Sequence, residues 1–174
     1  MTTKTIAITG ATGQFGAIAL DLLKAKHANV IALVRSPEKI SGAAARQFDY
    51  SKTEGQVEAL QGVDTLILVS SSEVGQRIQQ HKNVIEAAKK AGVKHIIYTS
   101  LLGATNDNTV KSLAGEHVET ESALKASGIT YTILRNGWYT ENYTASIPAA
   151  LANNAFYGSA KFRLYFVQNL LKQR

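Results

Sequence analysis

The sequence predicts an α/β domain built on a doubly wound parallel sheet, and three observations carry that expectation. Six short apolar runs alternate with amphipathic or Ala-rich stretches along the 174 residues. Runs such as Thr65-Leu66-Ile67-Leu68-Val69 are apolar throughout, the pattern of strands buried on both faces. The first run, Thr5-Ile6-Ala7-Ile8-Thr9, leads through Gly10-Ala11-Thr12-Gly13-Gln14-Phe15-Gly16 into a stretch with helical periodicity. Such alternation is what parallel strands joined by right-handed crossover helices require.

Taken in order, the strands are expected at 5–9, Val30–Arg35, Arg46–Asp49, Thr65–Ser70, His95–Ser100 and Thr130–Arg135. Helical segments are expected near 14–27, 53–61, 75–91 and 114–127. The first helix shows Phe15, Ile18, Ala19, Leu22 and Leu23 at helical spacing, and the third shows Ile78, Ile85 and Ala88 on the side that also carries His81. Ala91-Gly92 and Ser127-Gly128 place glycine where helices end in a left-handed residue. The expected strand order is 3-2-1-4-5-6, with ligands at the carboxyl ends of the strands. There is no internal repeat and no low-complexity linker.

Strand, glycine turn and helix in succession form the context in which a glycine pattern becomes a dinucleotide site. The glycines permit torsions that side chains forbid and let main-chain N–H groups of the turn approach a pyrophosphate closely. The helix N-terminus adds unsatisfied N–H donors and partial positive charge. The spacing Gly-x-x-Gly-x-x-Gly differs from the common G-x-G-x-x-G fingerprint, and no Lys-Ser or Lys-Thr follows as in a P-loop. The bland alternative is a tight turn whose glycines serve packing alone. An NAD(P)-binding, Rossmann-like domain is the expectation.

The second strand indicates which dinucleotide. About 20 residues past the glycines an NAD-selective site carries Asp or Glu for the ribose 2′-hydroxyl. Here the position holds Arg35, followed by Ser36, Pro37 and Lys39. A guanidinium pairs with a 2′-phosphate and cannot accept from a hydroxyl, so NADP(H) is preferred over NAD(H). Asp49, closing the third strand with Tyr50, can meet the adenine amine or serve as turn chemistry.

Composition excludes several alternatives. The chain is 45% hydrophobic and 18% charged, long enough for one cored domain. It has no cysteine, which removes disulfides, thiol catalysis and Cys-ligated metal, and no histidine pair has metal spacing with a carboxylate at hand. No apolar run reaches the roughly 18 residues needed to span a bilayer, and the N-terminus lacks a signal-peptide pattern, so a cytoplasmic setting is expected. Of the net charge of +6, Lys161, Arg163, Lys172 and Arg174 supply +4 within an acid-free tail. The rest has no basic stripe interleaved with aromatics, and no nucleic-acid partner is expected.

Beyond these features, Ser70-Ser71-Ser72-Glu73-Val74-Gly75-Gln76-Arg77, Tyr98-Thr99-Ser100-Leu101-Leu102 and Leu134-Arg135-Asn136-Gly137-Trp138-Tyr139-Thr140-Glu141-Asn142-Tyr143 complete a resemblance. The chain resembles the type-2 NAD(P)H:quinone oxidoreductases, NmrA-like members of the atypical short-chain dehydrogenase/reductases, over about residues 5–160. Triphenylmethane-dye reductases share the glycine motif and the Leu-Arg-Asn segment.

The resemblance implies two-electron reduction of a quinone-like acceptor by hydride transfer from NADPH, in a Rossmann domain with a small C-terminal lobe. It implies that Gly10 to Phe15 hold the pyrophosphate and Arg35 the 2′-phosphate. Ser70 and Ser71 would line the floor near the nicotinamide ribose. Gly137, Trp138, Tyr139, Thr140, Glu141, Asn142 and Tyr143 would close over the nicotinamide end. The three aromatics among them are either a wall for a flat substrate or the packing of a long loop.

The superfamily's Tyr-x-x-x-Lys proton relay is missing. Aligning His117-x-x-x-Glu121 with the usual Lys-x-x-x-Glu puts His117 at the Lys position and Leu113 at the Tyr position. Quinone reduction tolerates that loss, because water can protonate a delocalised hydroquinone anion; catalysis is then mainly proximity and orientation. His117 is a weak acid, a ribose contact or a helix-surface residue on this reading.

The resemblance fades after Gly158-Ser159-Ala160, so the expected division is an NAD(P)-binding domain over 1–160 and an atypical basic and apolar tail over 161–174. The substrate lobe is largely missing. A shifted reading frame or truncated product is the simpler account of the tail, and an amphipathic tail that docks on a partner or an anionic membrane is the other. Phe162, Leu164, Phe166, Val167, Leu170 and Leu171 must bury or form an exposed patch through which the chain self-associates. NADPH binding is expected to survive the loss of the lobe better than turnover. Competing functions are reduction of other flat conjugated acceptors such as dyes, NADP sensing without turnover, and a poorly folding remnant.

Overall fold

β-branched and aliphatic residues dominate the strand runs, and they assemble in the computed structural model into a six-stranded sheet of order β3-β2-β1-β4-β5-β6. The model describes residues 4–155 apart from 105–112, together with the backbone of Phe156, Tyr165 and Phe166. The strands are β1 Thr5–Thr9, β2 Asn29–Val34, β3 Ala44–Gln47, β4 Thr65–Leu68, β5 His95–Leu101 and β6 Thr130–Asn136. Every pairing among them is parallel. The helices between them are α1 Gln14–Ala25, α2 Gln56–Ala59, α3 Arg77–Lys90 and α4 Leu113–Ala126, with a 3-10 turn at Pro37–Lys39. The expected topology and strand set are thus observed.

Alternation along the central strands feeds two cores. Ala7, Ile31, Leu33, Leu66 and Leu68 join Val84, Ile85 and Leu124 of α3 and α4 on one face. Ile8, Val30, Ala32 and Val34 join Leu20 of α1 on the other. Each Val, Leu or Ile side chain buried this fully contributes about 1.5–3 kcal/mol. The cover thins toward β6, where Tyr131 and Leu134 are each 40% exposed.

Two details depart from the periodicity. Ile18 and Leu22 of α1 face outward, and Gly16, Ala19, Leu20 and Leu23 face inward. The reason is Gly16: a Cβ there would lie 2.1 Å from the Gly10 carbonyl oxygen, so this bare face is where the helix meets the turn below it. The segment expected to be helical over 53–61 contracts to α2, bracketed by Gly55 and Gly62 at φ of +78° and +73°. The glycine stops do appear, Gly92 at φ +79° and Gly128 at φ +77°.

The chain divides into two compact units at Asn136/Gly137. The second contains α5 Thr140–Thr144, α6 Ile147–Ala152 and a two-stranded antiparallel pair, β7 Ala155–Phe156 with β8 Tyr165–Phe166. The boundary expected at residue 160 and the rest of the basic tail lie outside the described residues.

Candidate functional site: the carboxyl ends of the strands

The three glycines after β1 do separate jobs. Gly10 adopts φ +61°, a left-handed conformation that turns the chain out of the sheet. Gly13 donates its N–H to the Gly10 carbonyl at 2.9 Å and is the residue preceding α1. Gly16 allows the helix to close on the turn. The N-terminus of α1 has no side-chain cap and no acidic residue in its first turn. Its leading N–H groups therefore have no intrahelical acceptor, and the end of the helix dipole is not neutralised. Gly10, Ala11, Thr12, Gly13, Gln14 and Phe15 come together in one turn of the shape and polarity that a pyrophosphate needs.

Arg35 stands just past the carboxyl end of β2, exposed and without hydrogen bond or ion pair among the described residues. It lines a cleft of about 650 Å³ together with Gln47, Asp49 and Lys52. One oxygen of Asp49 accepts from Ser51 N at 2.9 Å and from Ser51 Oγ at 2.6 Å, so the turn chemistry is real. Those bonds from Ser51, with smaller help from the charges of Lys52 and Arg35, hold the Asp49 carboxyl below the usual range despite its partial burial. The cleft thus joins a free guanidinium to a carboxylate with one oxygen committed.

Threonines stitch the end of β4 to its neighbours. Val69 N donates to Thr9 Oγ1 and Ser70 N to Thr99 Oγ1, both at 2.9 Å. The next amide, Ser71 N, donates to His81 Nε2 at 3.0 Å. The neutral His81 ring therefore carries its proton on Nδ1, which faces Thr120 Oγ1 at 3.0 Å, and that hydroxyl donates to the Glu116 carbonyl. Burial, aided by the charges of Arg77 and His117, holds the His81 imidazole down at about 3. This is the hydrogen-bonded core role expected for His81. Ser71 Oγ is buried without a hydrogen-bond partner among the described residues.

A buried ion pair flanks the same loop. Arg77 Nη1 and Glu116 Oε2 lie 2.6 Å apart, their side chains 5% and 3% exposed. Arg77 Nε donates to the Ser71 carbonyl at 2.7 Å, and Gly75 N donates to Glu116 Oε1 at 2.6 Å.

His117 is buried rather than on the helix surface, because α4 turns Gly115, Glu116, His117 and Thr120 toward the sheet. Its Nδ1 lies against the Tyr98 hydroxyl. Burial and the charge of Arg77 outweigh the opposing charge of Glu121 and hold its imidazole down at about 4, so it is neutral at neutral pH. A turn later, Glu121 accepts from Ser100 Oγ at 2.7 Å and from Arg135 Nε and Nη2 at 3.0 and 2.7 Å. Burial pushes the Glu121 carboxyl up, but these bonds outweigh it and leave it below the usual range.

Gly137, Trp138, Tyr139, Thr140, Glu141, Asn142 and Tyr143 belong to the second unit. Tyr139 is extended at φ −69°, ψ 138°, and α5 follows at once. Trp138, Tyr139 and Tyr143 are 53%, 42% and 61% exposed.

Sequence reasoning gave Arg77 and Glu121 no structural role of their own and missed Glu116. The signal was present: Arg77 sits one turn before His81 and two before Val84 and Ile85, on the stripe that faces the core. A charge on an apolar stripe is buried and paired, not solvated.

Residues 10–160 match the model of an NAD(P)H-binding family. The chain is 56% identical over 162 residues to quinone oxidoreductase 2 of Escherichia coli strain K12, covering 89% of this chain and 56% of that protein. The crystal structure of the NADPH-dependent quinone oxidoreductase of E. coli complexed with NADPH superposes with a TM-score of 0.80 at 54% identity, covering 89% of this chain and 56% of the other. Triphenylmethane reductase of Citrobacter sp., complexed with NADP(H), gives a TM-score of 0.78 at 37% identity over 87% of this chain and 56% of its own. The chain therefore spans little more than half the length of these relatives. Among the described residues no helix is long and apolar enough to cross a membrane.

Proposed function

The chain belongs to the NAD(P)H-binding, NmrA-like family, and from this we propose that it binds NADPH in preference to NADH and reduces quinone-like acceptors. The observation that carries the reading is the uncapped turn from Gly10 to Gly16 beside an unpaired Arg35. The first is built for a pyrophosphate and the second for a 2′-phosphate.

When bound, NADPH supplies the hydride. Gly10 to Phe15 hold the pyrophosphate through main-chain N–H groups and the α1 dipole. Arg35 takes the 2′-phosphate, and Asp49 offers its uncommitted oxygen to the adenine amine. Ser70 and Ser71 line the ribose floor of the nicotinamide half. His117 has its Nδ1 engaged by Tyr98 and is neutral, so it does not serve as an imidazolium acid. Protonation of the reduced acceptor falls to water, and the residues act by position. The NAD(P)-binding domain in this reading extends to about residue 160, and the chain works in the cytoplasm.

The same neutral, paired His117 supports a second reading, an NADP sensor that binds without turnover. The test is thermal unfolding with NADPH and with NADH, followed by NADPH consumption with a quinone and with a triphenylmethane dye. Ligand that binds only the native state raises the midpoint by mass action. A larger rise with NADPH and steady consumption with the quinone are expected. A rise without consumption favours the sensor, and no rise with either nucleotide overturns both readings.

A further inference from the structure

We propose that the buried pair Arg77–Glu116 is a positioning device for the β4–α3 loop, and that it sets affinity for the nicotinamide half of the dinucleotide while leaving the adenosine half untouched. The inference rests on the reading that Ser70 and Ser71 border the nicotinamide ribose. The pair is a poor choice for stability alone, since removing two charges from water costs about as much as their attraction returns. What distinguishes it is where its remaining bonding capacity goes. Arg77 Nε takes the carbonyl of Ser71 and Glu116 Oε1 takes the amide of Gly75, so one ion pair grips the loop's backbone at both ends.

The rest of the loop is built to be held in this way. Ser72, Glu73, Val74 and Gly75 are exposed and bury nothing that could fix them. Gly75 adopts φ +89° with nothing within 4 Å of the position a Cβ would take, so the conformation there is not imposed by packing. His81 holds the Ser71 amide, the other polar group of the residue whose carbonyl Arg77 holds. Gln80 adds a side-chain bond to Glu73 at 2.7 Å. Loop position is thus determined by side chains from α3 and α4. Among the described residues, the side-chain bonds of Arg77 and Glu116 go to this loop and to one another, the Glu116 carbonyl takes Thr120, and none goes to β2, β3 or the cleft of Arg35.

The experiment compares two ligands on the full chain: NADPH, which spans both halves, and 2′,5′-ADP, which carries the adenosine half alone. The variants are Arg77→Met with Glu116→Leu, which replaces the pair with apolar groups of similar size, and Glu116→Gln, which keeps an acceptor for Gly75 but removes the charge. Calorimetric affinities are accompanied by hydrogen exchange of the peptide covering 70–76. In whichever variant folds, NADPH affinity is expected to fall, by about tenfold in Arg77→Met with Glu116→Leu, which loses both bonds to the loop, and by less in Glu116→Gln, which keeps the acceptor for Gly75 but not the charge that holds Arg77. Affinity for 2′,5′-ADP is expected to stay within about twofold, and exchange in 70–76 to rise without ligand. A parallel fall of both affinities, or no fall with unchanged exchange, overturns the proposal. A parent chain that binds neither ligand overturns the dinucleotide reading and this one with it. Parent binding without the selective loss overturns this one alone.

Discussion

Tyr98 Oη and His117 Nδ1 face each other at 2.6 Å, one from β5 and the other from α4, with both side chains buried. Burial raises the phenol well above its ordinary value and lowers the imidazole to about 4. The proton between them therefore stays on the phenol, and His117 accepts it. A residue found by its spacing to a missing relay turns out to be one end of a neutral hydrogen bond in the core.

His81 and His117 make stability depend on acid. Their folded values, about 3 and about 4, lie below the ordinary 6.5. Between those limits the unfolded chain binds more protons, so stability is full above about pH 6.5 and falls as the pH drops toward 4. Each such proton contributes a slope of at most about 1.4 kcal/mol per pH unit. Urea unfolding across that range should show the fall, and His117→Asn should flatten it by close to one proton. An unchanged slope in that variant would show that His117 is not held neutral.

Gly16→Ala should be far more damaging than Gly13→Ala. The added methyl would sit 2.1 Å from the Gly10 carbonyl oxygen in the first case and 3.3 Å in the second. Overpacking of the first kind costs about 1–3 kcal/mol. The thermal midpoint should fall and NADPH binding should weaken in the Gly16 variant, because the turn itself must move. Equal midpoints for the two variants would contradict the packing described for α1.

Arg35→Glu should invert cofactor preference. It removes a charge-assisted bond worth about 1.5–3 kcal/mol, or about tenfold to a hundredfold in NADPH affinity, and supplies an acceptor for a 2′-hydroxyl. Calorimetry with NADPH and NADH on the variant checks this. An unchanged ratio of the two dissociation constants would remove Arg35 from the 2′-phosphate site.

Arg135→Met should lower the thermal midpoint more than Glu121→Gln. The Glu121 side chain is 3% exposed and that of Arg135 is 47% exposed. Among the described residues, removing Arg135 leaves a buried carboxylate with only the Ser100 hydroxyl as hydrogen-bond donor, whereas Glu121→Gln leaves a solvated guanidinium and a neutral amide. The reverse order of midpoints would mean that water reaches Glu121.

The topology was legible because its signals are local. The run from Thr5 to Thr9, the glycines behind it and the stops at Gly92 and Gly128 each act within a few residues of one another. Arg35 was legible because its place is counted from the glycines. The outward turn of Ile18 and Leu22 was not, since it follows from a close approach of Gly16 to Gly10 that a helical wheel ignores. The partners Arg77–Glu116 and Tyr98–His117 were not legible either. They join different elements, 39 and 19 residues apart in sequence, and only the packing of α3 and α4 on the sheet brings them together.

The His81 ring has one vacant nitrogen, and an amide of the loop already occupies it. A proton arriving there must evict Ser71 before it can stay. Acid that reaches this nitrogen therefore frees the Ser71 amide, one of the ties that fix the β4–α3 loop.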